Sequence, residues 1–136
     1  MASPAPGSPG PTILLVDDDR AVRFIATRTL EEAGYRVVEA GDGVEALRYF
    51  LEDPQRFDAL VTDVVMPRMP GTLLATRVHA TRPSLPILLM SGYSPAEMLD
   101  HGVAAPHTCV VPKPFDPDQL LAAVQRILGD GARERP

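Results

Sequence analysis

The groups in this chain best suited to chemistry are aspartates, one serine and one lysine, each placed directly after an apolar run. In "ILLVDDDR", residues 13–20, four apolar residues lead straight into Asp17, Asp18 and Asp19. Asp63 follows a second such run in "VTDVVMPRMPG", Ser91 a third in "LLMSGYS", and Lys113 a fourth in "VVPKPF". Crowded carboxylates repel one another and resist ionisation unless something positive sits between them. Several carboxylate oxygens together make a site for a hard divalent cation, and Mg²⁺ typically takes one or two carboxylates plus phosphate oxygens and waters. A carboxylate can also act as a nucleophile and form an aspartyl phosphate. A lysine and a hydroxyl beside it then stabilise charge on the transferring phosphoryl group. Taken singly, each residue has a plain structural reading: Asp and Ser after a strand serve turns and N-caps, and Lys is usually solvated. Only an arrangement that brings them together makes the chemistry.

The elements between them supply that arrangement. Residues 12–16 form a β-rich run too short for a helix. Val22, Ile25, Ala26, Thr29, Leu30 and Ala33 then mark one helical face, with Asp19 as N-cap and Gly34 as the residue just past its end. Residues 35–40 read as a strand, and Asp42 with Glu45 forms a capping box for a helix to about residue 51. A third strand covers 58–62, and a helix over 71–81 is stopped by Pro83. A fourth strand covers 85–90, followed by a capping box at Ser94, Pro95, Ala96 and Glu97. The fifth strand is 107–111, and the last helix opens at Asp116-Pro117-Asp118-Gln119 and ends before Gly129.

Five strands alternating with five helices predict an α/β fold with a five-stranded parallel sheet covered on both faces. Such sheets carry their sites just outside the carboxyl ends of the strands. Asp17, Asp18, Asp63, Ser91 and Lys113 are all expected on that rim.

Composition narrows the function classes. The length of 136 residues suits one domain, here 12–128, between a Pro/Gly/Ser-rich linker or disordered segment at 1–11 and a flexible tail at 129–136. A net charge of −5 without a basic cluster argues against a nucleic-acid surface. No apolar run reaches the roughly 20 residues of a membrane span, and no signal peptide is recognisable, so no membrane partner is expected. The single Cys109 reads as a small buried hydrophobe and fits a reducing, cytoplasmic setting. His79, His101 and His107 lack metal-ligand spacing and read as surface or packing residues.

As a set, "VDD", "TDVVMPRMPG", "SGY" and "KPF" resemble the receiver domains of two-component response regulators, over about residues 12–128. The resemblance implies a flavodoxin-like (CheY-like) sheet of strand order 2-1-3-4-5. It implies Asp63 as phosphoacceptor, receiving the phosphoryl group from a histidine kinase or histidine phosphotransfer protein. Asp17 and Asp18, with Asp63 and the backbone carbonyl of Val65, would hold Mg²⁺, with Mn²⁺ as a substitute. Ser91 would hydrogen-bond the phosphoryl group and Lys113 pair with it, next to a Lys113–Pro114 bond that is typically cis. Asp19 lies outside the metal set. Output to a downstream protein would pass through the fourth helix, fifth strand and fifth helix. The "SGY…KPF" style resembles receivers attached to hybrid histidine kinases, so a stand-alone receiver and one excised from such a kinase are both expected arrangements.

Two features depart from the family pattern. Where a Tyr or Phe often acts as a switch together with Ser91, this chain has Val110. The positions that tune phosphoryl lifetime are Val65 and Tyr93, neither of which orients an attacking water well. Three other readings compete. "GDGVEA", residues 41–46, fits a dinucleotide fingerprint. Asp17 and Asp19 match the spacing of a haloacid-dehalogenase-type phosphatase pair. A degenerate receiver would only bind a partner, but all five chemical positions are intact.

Overall fold

A computed structural model of the chain describes residues 10–92 and 108–133. Its elements are β1 (Thr12–Val16), α1 (Arg20–Glu32), β2 (Arg36–Ala40), α2 (Gly43–Glu52), a 3₁₀ turn (Pro54–Arg56), β3 (Ala59–Asp63), α3 (Gly71–Thr81), β4 (Ile87–Ser91), β5 (Thr108–Pro112) and a C-terminal helix (Pro117–Arg133). The strands pair in parallel in the order β2-β1-β3-β4-β5, as expected. After β1 the chain builds outward to β2 and then crosses to β3, so a crevice opens at the carboxyl ends of β1 and β3.

Strand alternation divides the core. Leu14, Val16, Leu60 and Leu89 face Phe50, Leu74 and Val78 of α2 and α3. Ile13, Leu15, Val61 and Leu88 face Leu30 of α1 and Leu120, Val124 and Ile127 of the C-terminal helix. β3 and β4 are buried along their whole length, which is why they are unbroken apolar runs in sequence.

Local chemistry sets the ends of the helices. The Asp19 carboxylate accepts from the amides of Ala21 and Val22. At the other end of α1, Gly34 adopts φ 99°. The Gly34 amide donates to Glu31 and the Tyr35 amide to Leu30, a Schellman closure that only a residue tolerant of left-handed backbone makes cheaply. Asp42 caps the Glu45 amide at 2.8 Å, while the Glu45 carboxylate reaches back to the Gly41 amide. Asp116 and Gln119 cap each other's amides reciprocally at 2.8 Å.

Several expectations shift. β3 starts one residue later than its apolar run predicts, because the Asp58 carboxylate and amide are spent on Thr12, and Asp63 becomes the last residue of the strand. β4 begins at Ile87, since Pro86 has no amide to donate. The buried face of α1 is turned toward Thr27, so Ile25 is 56% exposed and lines a groove of about 360 Å³ with Val22, Lys113, Pro114 and Phe115. Cys109 is only half-buried, because β5 is an edge strand among the described residues. The C-terminal helix continues to Arg133, past the end expected at Gly129. A glycine inside a helix costs only about 1 kcal/mol, and no proline follows to stop the helix before Arg133. The expected fourth helix and its capping box at residues 94–97, with Tyr93, His101 and His107, lie outside the described residues. His79 is a packing residue, with Nε2 3.1 Å from the Leu85 carbonyl. No described helix is long and apolar enough to cross a membrane.

Candidate functional site

The carboxyl ends of β1, β3, β4 and β5 converge as the parallel sheet requires. Asp17 directly follows β1 and is fully buried; Asp18, next in the chain, is exposed. Asp63 closes β3, Ser91 closes β4, and both are buried. Lys113 follows β5, and its amide donates to the Ser91 carbonyl at 2.7 Å, which ties the lysine's backbone to the serine. The Lys113–Pro114 bond is cis.

Oxygens of Asp17, Asp18 and Asp63 lie within 4.8 Å of one another. At such separations and an effective dielectric near 20, each pair of full charges repels by roughly 3–4 kcal/mol. Among the described residues, Lys113 stands against this repulsion: its Nζ is 3.2 Å from Asp63 Oδ1 and 3.4 Å from Asp17 Oδ2. The amides of Asp19 and Val64 donate to the carboxylates of Asp17 and Asp63, each at 2.8 Å. Burial, and then the charge of Asp17, push the Asp63 carboxyl above the usual carboxylate value, against the opposing pull of Lys113 and the Val64 amide. For Lys113, burial works to lower the pKa, but the charges of Asp17 and Asp63 and their hydrogen bonds outweigh it, and the pKa is raised. One ammonium facing three carboxylates leaves net negative charge in an all-oxygen donor set, which fits a hard divalent cation.

Of the residues predicted from sequence, Asp17, Asp18, Asp63 and Lys113 come together as expected, with Ser91 beside them. Val65 is exposed at the start of the loop after Asp63. Val110 is half-buried and packs against the core cluster beneath α2 and α3, and Met66 and Met69 fill space in the same cluster.

The structure adds two residues that sequence reasoning does not reach. Arg23 of α1 donates through Nη1 to the Asp17 carbonyl at 2.6 Å. Gly71 opens α3 hard against the backbone of Asp63: a Cβ there would lie 1.9 Å from the Asp63 carbonyl oxygen. A glycine at the first position of a helix is the available signal for Gly71; nothing local marks Arg23.

Two of the competing readings fail on geometry. The glycine-rich turn at 41–43 is filled: the Asp42 carboxylate occupies the α2 N-terminus and Met69 packs against Gly43. A pyrophosphate would have to displace both. Asp19 is spent on capping α1, so Asp17 and Asp19 do not form a phosphatase pair.

Residues 13–125 match the model of the response regulator receiver domain. The chain is 42% identical over 116 residues to the response regulator MprA of Mycobacterium leprae, covering 85% of this chain and 50% of that protein. It is 38% identical over 117 residues to the sensor kinase CckA of Brucella abortus, covering 86% of this chain and 12% of the kinase. The chain thus spans half or less of these relatives. Among solved structures, the chemotaxis protein CheY4 of Vibrio cholerae superimposes with a TM-score of 0.79 at 35% identity, over 86% of this chain and 98% of CheY4. The receiver domain of the hybrid histidine kinase CckA does so at 0.74 and 34%, over 86% and 98%. On the family match over residues 13–125 and these relatives, the chain belongs to the response regulator receiver domains of two-component systems.

Proposed function

We propose that Asp63 accepts a phosphoryl group from the phosphohistidine of a histidine kinase or histidine phosphotransfer protein, in a Mg²⁺-dependent reaction in the cytoplasm. One observation carries the reading: Lys113 Nζ bridges Asp17 and Asp63 in a three-carboxylate cluster at the sheet's switch point. An Asp63 oxygen attacks phosphorus, the bond from phosphorus to the histidine nitrogen breaks, and the imidazole leaves with the electron pair and takes up a proton. Asp17, Asp18, Asp63 and the Val65 carbonyl would hold the cation, with Mn²⁺ as a substitute. Bound there, it supplies positive charge to the phosphoryl oxygens. Lys113 supplies the protein's own positive charge, and Ser91 the hydroxyl that hydrogen-bonds the phosphoryl group. Burial of Asp63 keeps bulk water from the acyl phosphate once it forms.

Mg²⁺ should raise the melting temperature, because it binds the folded site and relieves its repulsion. Tenfold excess over Kd contributes about 1.4 kcal/mol, or roughly 5 °C for a domain of this size. Asp18→Asn should shrink that gain. Unchanged melting in millimolar Mg²⁺ would remove the metal site from the reading.

Autodephosphorylation should be slow. Val65 is an exposed aliphatic side chain beside the phosphoacceptor, with no polar group to orient a water. Decay of the phosphorylated protein in Mg²⁺ at 25 °C is the measurement, and loss within seconds contradicts the proposal.

Output to a downstream protein would pass through β5, the C-terminal helix and the segment between β4 and β5. A packed, β-branched Val110 has little rotamer freedom, so readout relies on displacement of β5 and not on a rotating ring. Phosphotransfer profiling against candidate kinases tests the proposed donor class.

A further inference from the structure

We infer that Arg23 is a positioning residue for the cation site, with Glu39 as its holder; the inference rests on the Mg²⁺ reading above. The ladder between β1 and β2 ends at Val16 opposite Ala40, one residue before Asp17. The Asp17 amide still reaches the Ala40 carbonyl at 3.3 Å, but the Asp17 carbonyl lies beyond the last paired position. Arg23 takes over there, donating Nη1 to it at 2.6 Å. Its Nε meets Glu39 Oε1 at 3.3 Å, and its side chain is only 18% exposed. Charge-assisted bonds of this kind are short and directional.

The consequence falls on Asp18. The Arg23 amide donates to the Asp19 carbonyl at 2.9 Å, and the Asp19 amide to the Asp17 carboxylate at 2.8 Å. Arg23 therefore grips the turn at Asp17 with its side chain and at Asp19 with its backbone. Asp18, the one exposed carboxylate of the cluster, is carried between those two points. An aspartate on a free loop would have to be ordered at each binding event; here the ordering is done by the fold. Glu39 gives the guanidinium a carboxylate partner on β2, away from the cluster, and so holds it on the carbonyl. Groups that orient metal ligands commonly matter about 10- to 100-fold in affinity.

Positioning and charge predict opposite signs. Removing a cation near the cluster would by Coulomb attraction alone tighten Mg²⁺ binding; removing a positioning group loosens it. The experiment is an amide chemical-shift titration with MgCl₂ at 25 °C of wild type, Arg23→Met, Arg23→Lys, Glu39→Gln and Arg28→Met. Arg28 is exposed on the same helix and controls for loss of charge. Arg23→Met is expected to weaken Mg²⁺ about tenfold, Arg23→Lys to recover part of the loss, and Glu39→Gln to weaken binding less, with Arg28→Met unchanged. Unchanged or tighter binding in Arg23→Met overturns the inference. If Arg23→Met does not fold, Glu39→Gln decides, and wild-type affinity there overturns it. A wild type that shows no Mg²⁺-dependent shifts overturns the metal reading itself.

Discussion

Asp63→Asn should abolish phosphoryl acceptance: incubated with a phosphorylated histidine donor and Mg²⁺, the variant should take up less than about one per cent of the wild-type label, a deficit of at least ~3 kcal/mol in barrier. The amide has nearly the shape of the carboxylate but no anionic oxygen to attack phosphorus. Retained acid-labile, hydroxylamine-sensitive label would place the phosphoryl group on another residue. The same variant has a second expected effect, on stability. Asp63 has a raised carboxyl pKa, chiefly from burial and then from Asp17. A group whose folded pKa exceeds its unfolded value binds protons more tightly when folded. Its effect on stability is therefore most favourable below the unfolded value, near 3.8, and that advantage is lost as pH rises through the raised folded value. In metal-free buffer, wild type should thus lose ground to Asp63→Asn as pH climbs from 4 toward neutrality. Melting of both proteins in chelator across that range checks the sign, and a wild type that instead gains on the variant with rising pH contradicts it.

Gly71→Ala should be the most destabilising small substitution near the site. The added methyl would sit 1.9 Å from the Asp63 carbonyl oxygen and 2.9 Å from its carbon. No backbone atom can yield that much without moving β3 or α3. The Gly71 amide also donates to the Val64 carbonyl at 2.8 Å, which locks the approach from the other side. Overpacking of this kind costs about 3 kcal/mol or more, roughly 10 °C in melting temperature. Because the obstruction is the phosphoacceptor's own backbone, phosphorylation should slow even at temperatures where the variant is folded. Urea unfolding and phosphotransfer at 10 °C separate the two effects. A loss below about 1 kcal/mol would mean that α3 shifts freely.

Much of the molecule is legible in its amino-acid sequence alone. Strand runs, capping pairs and the glycine at 34 are local: the interacting groups lie within a few residues, so their types and spacing carry the information. The caps made by Asp42 and Glu45, the reciprocal pair Asp116/Gln119 and the Schellman closure at Gly34 form where such patterns predict them. The candidate site is legible for a related reason: a parallel sheet sends every strand's carboxyl end to one rim, so residues just after strands become neighbours. Division of labour in "VDDD" follows too, with Asp19 capping α1 and Asp17 and Asp18 in the cluster.

What tertiary structure alone decides involves partners distant in sequence or fine angles of packing. Lys113 meets Asp17 across 96 residues, and only the close pairing of β1, β3, β4 and β5 turns that rim into contacts of 3.2 and 3.4 Å. The outward turn of Ile25 depends on how α1 seats on the sheet, a rotation too small for a periodicity to resolve. Gly71 looks like an ordinary helix start until the Asp63 backbone is placed against it. Arg23 has no motif at all. It matters because the β1–β2 ladder stops one residue short of Asp17 and leaves a carbonyl for it to hold, and where a ladder ends is settled by the pairing of two strands and not by either strand's sequence.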